Sequence, residues 1–156
     1  MSATQLVACG DSELVAEKSA LPAPWWGDVS PVVIDGDQFY GDPCSVTRVS
    51  VDDAGVTSAI VIFTVPRELL TICAQIEPKK NYLEYDGEFV ILNVDRQTFG
   101  AGSWTGERYR SADFISWQRD IGVTWLNGEE YEAWRNVGSK SAKADAIKKV
   151  EHKEED

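Results

Sequence analysis

A mainly β domain, or an α+β domain with little helix, is predicted by the turn signals in this 156-residue chain. Asp86-Gly87 and Asn127-Gly128 each separate two runs rich in aromatic and β-branched residues, which is the pattern of a tight β-hairpin. Residues 46–51 alternate between apolar and polar side chains, as a half-buried strand does. We therefore expect a compact antiparallel sandwich or barrel-like domain of about six to eight strands with one or two short helices.

Composition divides the chain into three parts. Residues 1–31 form an N-terminal segment that ends in a proline-bounded arm, residues 32–138 form the β-rich globular domain, and residues 139–156 form a charged tail. Asp11-Ser12 before Glu13 predicts a short helix near residues 12–20. The tail is rich in Ala, Lys and Glu and poor in apolar residues, so we expect it to be disordered or helical.

Three antiparallel strand pairs are expected between residues 32 and 94. Residues 32–34 turn at Asp35-Gly36 into Phe39-Tyr40, and residues 46–51 turn near Gly55 into residues 56–65. Residues 82–85 pair with 89–94 around the Asp86-Gly87 turn. Ile60-Val61-Ile62-Phe63 is the most continuously apolar stretch, so we expect it in the centre of a sheet.

The remaining segments leave the choice between helix and strand open in two places. Residues 66–76 fit a helix that begins at Pro66 or a strand, and residues 128–135 fit the second strand of a hairpin or a helix capped by Asn127. A cap at residues 111–113 predicts a short helix with Phe114, Trp117 and Ile121 on one face. Residues 100–106, rich in glycine, are expected to be a loop that holds Trp104.

The charge distribution restricts the classes of partner. The formal net charge is −11, and the tail carries as many lysines as acids, so the acidity belongs to residues 1–139. Direct binding to nucleic acid needs a basic surface, which this chain lacks. A protein partner, basic in character, suits this charge better.

Cysteine and histidine usage argues against a catalytic or metal centre. Cys9, Cys44 and Cys73 are far apart in the sequence and have no zinc-ligand or redox-pair spacing, and the odd count leaves a thiol unpaired. His152, the single histidine, lies in the charged tail. We expect no cofactor, no metal and no small-molecule substrate. The free thiol favours a reducing compartment, and no apolar run approaches the roughly 20 residues of a membrane helix. The prediction is therefore a protein without a membrane span that is cytoplasmic or part of a virion assembled in the cytoplasm.

Acidic loops provide the alternative interpretations. Residues 35–42 and 52–53 contain several aspartates, which are typical of calcium loops but also of turns in which the carboxylate accepts backbone hydrogen bonds. The spacing does not match an EF-hand, and the turn interpretation is preferred. Glu84 and Glu88 flank a hairpin turn, where acids are usually solvated charges rather than a catalytic pair.

Tryptophan supplies the candidate partner-binding residues. Pro22 and Pro24 stiffen an arm that leads directly to Trp25 and Trp26, and tryptophan is enriched among interface anchors. These four residues, with Trp104, are the predicted partner-binding set. The same arm is equally consistent with a lid that folds back onto its own domain.

Two functions remain open after these exclusions. The first is a non-enzymatic structural or assembly protein that binds neighbouring subunits, as in the head, neck or tail of a phage virion. The second is an acidic inhibitor whose carboxylates mimic nucleic-acid phosphates and fill a basic groove on an enzyme. The first relies on apolar contact and the second on charge, so the salt dependence of binding separates them.

Overall fold

The computed structural model describes residues 24–100, 102–138 and 144–150, and it contains two antiparallel sheets. The four-stranded sheet has the order β1-β2-β3-β4, and its strands are Val32–Ile34, Asp37–Gly41, Ser45–Val51 and Thr57–Thr64. The seven-stranded sheet has the order β11-β10-β9-β8-β7-β5, with β6 paired to β7. Its strands in chain order are β5 Thr71–Cys73, β6 Leu83–Tyr85, β7 Val90–Thr98, β8 Trp104–Ser111, β9 Gln118–Leu126, β10 Glu129–Asn136 and β11 Ala146–Lys149.

The predicted antiparallel β class is confirmed, with more strands than expected and no α-helix within the described residues. All the hairpins predicted from turn residues form: β1–β2, β3–β4, β6–β7 and β9–β10 are each antiparallel pairs. Asn127 and Gly128 have φ of 53° and 81°, as a type I′ turn requires at both central positions. This turn makes residues 129–136 a strand and settles the open choice there against a helix.

The main core lies between the two sheets. Buried side chains of the four-stranded sheet, including Phe39 and Val46, meet buried side chains of the seven-stranded sheet, including Leu92 and Tyr109. Gly41 is required at this contact, because a Cβ there would lie 2.8 Å from the backbone nitrogen of Leu83. At Gly41 the two sheets thus approach too closely for any side chain.

The prediction of a helix over residues 111–121 is wrong, although the predicted cap exists. Asp113 Oδ1 accepts hydrogen bonds from the backbone N–H groups of Ile115 and Ser116 at 2.9 and 2.7 Å. Phe114 then takes φ of 61°, and β9 begins at Gln118. Phe114 stacks on Phe39 and Trp117 stacks on Phe63, each at 4.2 Å between ring centroids. Long-range aromatic packing therefore overrides the local helical pattern.

The prediction that residues 60–63 lie in a sheet centre is also wrong, because β4 is the edge strand of its sheet among the described residues. Phe63 is buried, but Ile60 is 62% exposed. Residues 66–76 are not helical, since only Thr71–Cys73 is regular and it forms strand β5.

Two further segments differ from the sequence prediction. Trp104 is not in a loop but begins strand β8, opposite Gln97. In the tail, residues 146–149 form β11, which pairs with β10 from Tyr131 to Trp134. Pairing to an existing sheet supplies the order that the tail composition alone does not. The helix predicted near residues 12–20 lies outside the described residues, and so does His152.

Cys44 and Cys73 form a disulfide, although their sequence spacing is not that of a redox pair. Cys44 precedes β3 of the four-stranded sheet, and Cys73 ends β5 of the seven-stranded sheet. Their separation of 29 residues in sequence gave no spacing signal, because the packing of the two sheets brings them together. No helix within the described residues is long and apolar enough to cross a membrane.

Candidate functional site on the outer face of the four-stranded sheet

The predicted arm ends in a single 3-10 turn, Trp25–Asp28, rather than in extended chain. Pro24 precedes it in extended geometry, and the carbonyl oxygen of Pro24 accepts a hydrogen bond from Gly27 N at 3.0 Å. Asp28 forms an ion pair with Lys79 at 3.0 Å. The turn thereby fixes both tryptophans against the domain.

Trp26 packs on a small second core made by Val29, Tyr40 and Val49. Its ring centroid lies 6.2 Å from that of Tyr40 and 5.8 Å from that of Trp25. Trp25 contacts both rings edge-on and remains 44% exposed. The tryptophan pair therefore forms a lid on its own domain, which is the second of the two interpretations of the arm. The ring of Trp25 remains accessible to solvent.

The lid lies on the face of the four-stranded sheet that points away from the main core. Phe39 and Val46 point into the main core, so Tyr40 and Thr47, the next residues along, point outward. Residues directly opposite in antiparallel strands share a face. The register then assigns nine positions to the outer face: Val33, Gln38, Tyr40, Thr47, Val49, Val51, Thr57, Ala59 and Val61.

None of these outer positions is charged, although charged residues make up 26% of the chain. Val51 and Val61 are 61% and 58% exposed, and Val33 is exposed to a similar degree. Apolar side chains gathered on one exposed face are typical of an interaction site. We call this set, together with Trp25 and Trp26, the outer face.

The free edge of the outer face is β4. The described residues provide β4 with one hydrogen-bonded neighbour, β3, and no described strand pairs with its other side. Proteins usually protect such edges with charged residues or proline. Residues 57–64, Thr-Ser-Ala-Ile-Val-Ile-Phe-Thr, contain neither. The edge is chemically suited to accept a strand from another chain.

A groove of about 470 Å³ lies between the lid and the loop of residues 75–82. It is lined by Trp25 and by the loop of residues 75–82, including Lys79 and Lys80. Lys80 pairs with Glu77 at 2.9 Å, and its ammonium lies 5.6 Å from the ring centroid of Tyr82. The uncharged face thus has a charged border, the arrangement of an apolar interface centre with a polar rim.

The structure brings together three of the five predicted partner-binding residues. Pro24, Trp25 and Trp26 belong to the lid, and Pro22 lies outside the described residues. Trp104 is 51% exposed but belongs to β8 of the other sheet. Val51 and Val61 were missed by the sequence reasoning. The alternation of residues 46–51 was a usable signal, since it places Val49 and Val51 on one face.

The aspartates of the acidic loops make turn hydrogen bonds. Asp42 accepts from the backbone N–H groups of Cys44 and Ser45, both at 2.6 Å, and Asp52 accepts from those of Ala54 and Val56. Asp37 pairs with Arg48 at 2.5 Å. Within the described residues, no three potential metal ligands come together.

A charged cleft of about 760 Å³ opens where β8 and β9 separate, because these strands pair only at Tyr109–Arg119 and Arg110–Gln118. Glu107 lines it and accepts hydrogen bonds from Arg96 at 2.8 Å, Arg119 at 2.6 Å and Tyr109 at 2.8 Å. Burial raises the pKa of Tyr109 to about 12. With three donors already on its oxygens, Glu107 serves to join the strands.

Comparisons of the chain with protein-family models, with curated proteins and with solved structures give no match.

Proposed function

We propose that this protein is a non-enzymatic structural component that binds a neighbouring protein subunit through the outer face. The observation that carries the proposal is the exposed, uncharged surface of β3 and β4, which ends in the unprotected edge of β4. The acidic remainder of the chain limits non-specific association. The uncharged face offers exposed apolar side chains, among them Val33, Val51 and Val61, for specific apolar contact.

The partner in this proposal contributes an apolar surface or an added strand, and a phage virion is the setting that fits best. Disulfides persist on virion surfaces and are rare in the cytosol. The Cys44–Cys73 disulfide therefore favours a particle over the cytoplasm as the final location of the protein.

The test compares the substitution Val61→Lys with Ile115→Lys during co-purification from the native source. Val61 belongs to the outer face, whereas Ile115 is 86% exposed in the loop before β9. We expect V61K to weaken partner recovery at least about tenfold, because it places a charge in an apolar contact. I115K should bind as the wild type does. Equal recovery with both variants contradicts the proposal.

The acidic-inhibitor alternative is separated by a salt series on the same complex. Binding by mimicry of nucleic acid weakens steeply between low and high sodium chloride, because it depends on charge pairs. Contact through the outer face is nearly insensitive to salt. A steep loss that V61K does not alter favours the inhibitor.

A further inference from the structure

Arg110 of β8 occupies an unusual environment on the seven-stranded sheet, on the face opposite the main core. Its residue exposure is only 5%. Its guanidinium carbon lies 4.2 Å from the ring centroid of Phe89 and 4.1 Å from that of Trp134. The flat guanidinium thus contacts two aromatic rings, which restricts its orientation.

The hydrogen bonding of this guanidinium is incomplete. Within the described part of the chain, its side chain donates one hydrogen bond, from Nε to Gln118 Oε1 at 3.0 Å. Gln118 is itself oriented by donating from Nε2 to Asn136 Oδ1 at 3.2 Å. The partner is therefore a neutral amide, and no described carboxylate lies within ion-pair distance of Arg110. The two terminal nitrogens are left for another acceptor.

The surroundings contain further cations that are weakly paired. Arg108 lies 3.4 Å from both Asp120 and Glu132, and Lys148 lies 3.9 Å from Asp86. Arg110 lines a pocket of about 400 Å³ together with the cations Arg108 and Lys148 and the acids Asp86 and Glu132. The acids Asp86, Glu88 and Glu132 act on Arg110 from a distance. Because Asp86 and Glu132 line the pocket without pairing with Arg110, an oxyanion in the pocket would supply the direct acceptors that its guanidinium lacks.

We propose that this pocket binds an oxyanion with two adjacent oxygens, of carboxylate or phosphate type, through the terminal nitrogens of Arg110. Two parallel N–H···O bonds match the fork of a guanidinium to such a group. Lys148 adds a third donor at the rim. The pocket is on a different sheet from the outer face, so oxyanion binding is tested independently of the proposed function.

The test titrates the 15N-labelled protein with sodium phosphate and, separately, sodium acetate, with sodium chloride at matched ionic strength as the reference. The NMR signals of Arg110 Nε–H and the Trp134 indole N–H report on the pocket. We expect saturable shifts with phosphate or acetate beyond those with chloride. Saturation with phosphate alone supports a phosphate-type group, and saturation with acetate supports a carboxylate.

Variants identify the residue responsible. R110Q should weaken binding at least about tenfold, because it removes a charged hydrogen-bond donor pair. Q118E should also weaken it, since it places an internal carboxylate beside Arg110, and this variant retains the arginine if R110Q fails to fold. R48Q, which changes an arginine on the other sheet, should bind normally. Shifts that match those with chloride, or that R48Q reduces as much as R110Q does, overturn the proposal.

Discussion

Removal of the Cys44–Cys73 disulfide, by the substitutions Cys44→Ala and Cys73→Ala, should lower stability by an amount that the loop length sets. The bond closes a loop of 29 residues between the two sheets. In the chain-entropy description, a loop of this size contributes about 3.5 kcal/mol, between the values for loops of about 15 and 100 residues. At roughly 3 °C per kcal/mol for a chain of this size, the melting temperature should fall by about 10 °C.

The assay is thermal unfolding followed by circular dichroism, with and without dithiothreitol. The reductant should lower the wild-type midpoint to that of the variants and leave the variants unchanged. Thiol titration after denaturation should find one free thiol in the oxidised protein and all three cysteines free after reduction. Three free thiols in the oxidised wild type, or a midpoint that neither reduction nor substitution moves, would refute the reasoning.

Two further predictions concern Gly41, where the two sheets meet, and the buried Tyr109. Gly41→Ala should lower the free energy of unfolding by about 1–3 kcal/mol in a urea titration. The reason is that the new Cβ would lie 2.8 Å from Leu83 N and 2.9 Å from Leu92 Cδ1. Gly106→Ala is the control and should be near neutral, because a Cβ there meets nothing within 4 Å. Ultraviolet titration should find one tyrosine that ionises near pH 12, and Tyr109→Phe should remove that ionisation. The stability that the neutral phenol contributes is complete below pH 10 and is lost as the pH rises through about 12. An unchanged ultraviolet titration in Tyr109→Phe would contradict the assignment.

The hairpins were predictable because their information is local. A dipeptide such as Asn127-Gly128 adopts positive φ at low cost, and the strands on either side follow from side-chain alternation. The order of the strands within a sheet is not local. Residues 60–63 have a composition typical of a central strand, yet no segment pairs beyond β4 in the described chain, so composition alone did not predict the position of this strand in its sheet.

The candidate site was predictable only in part. Trp25 and Trp26 were identifiable from their chemistry. Whether they face outward or fold back depended on their packing against Tyr40 and Val49, which the pairing of β2 with β3 places on one face. Arg110 gave no sequence signal at all. Its environment is formed by Phe89 and Trp134, which belong to segments far apart in the sequence. The pairing of Cys44 with Cys73 likewise depends on long-range packing of the two sheets.

The most direct test of the outer face as a docking surface is site-specific photo-crosslinking in the native assembly. A photoreactive phenylalanine analogue would replace Val61 in one variant and Ile115 in the other, both exposed positions. We expect a crosslink from position 61 to a single neighbouring subunit and none to that subunit from position 115. No crosslink from position 61 in an assembly that contains the protein, or an equal yield from position 115, would contradict the account.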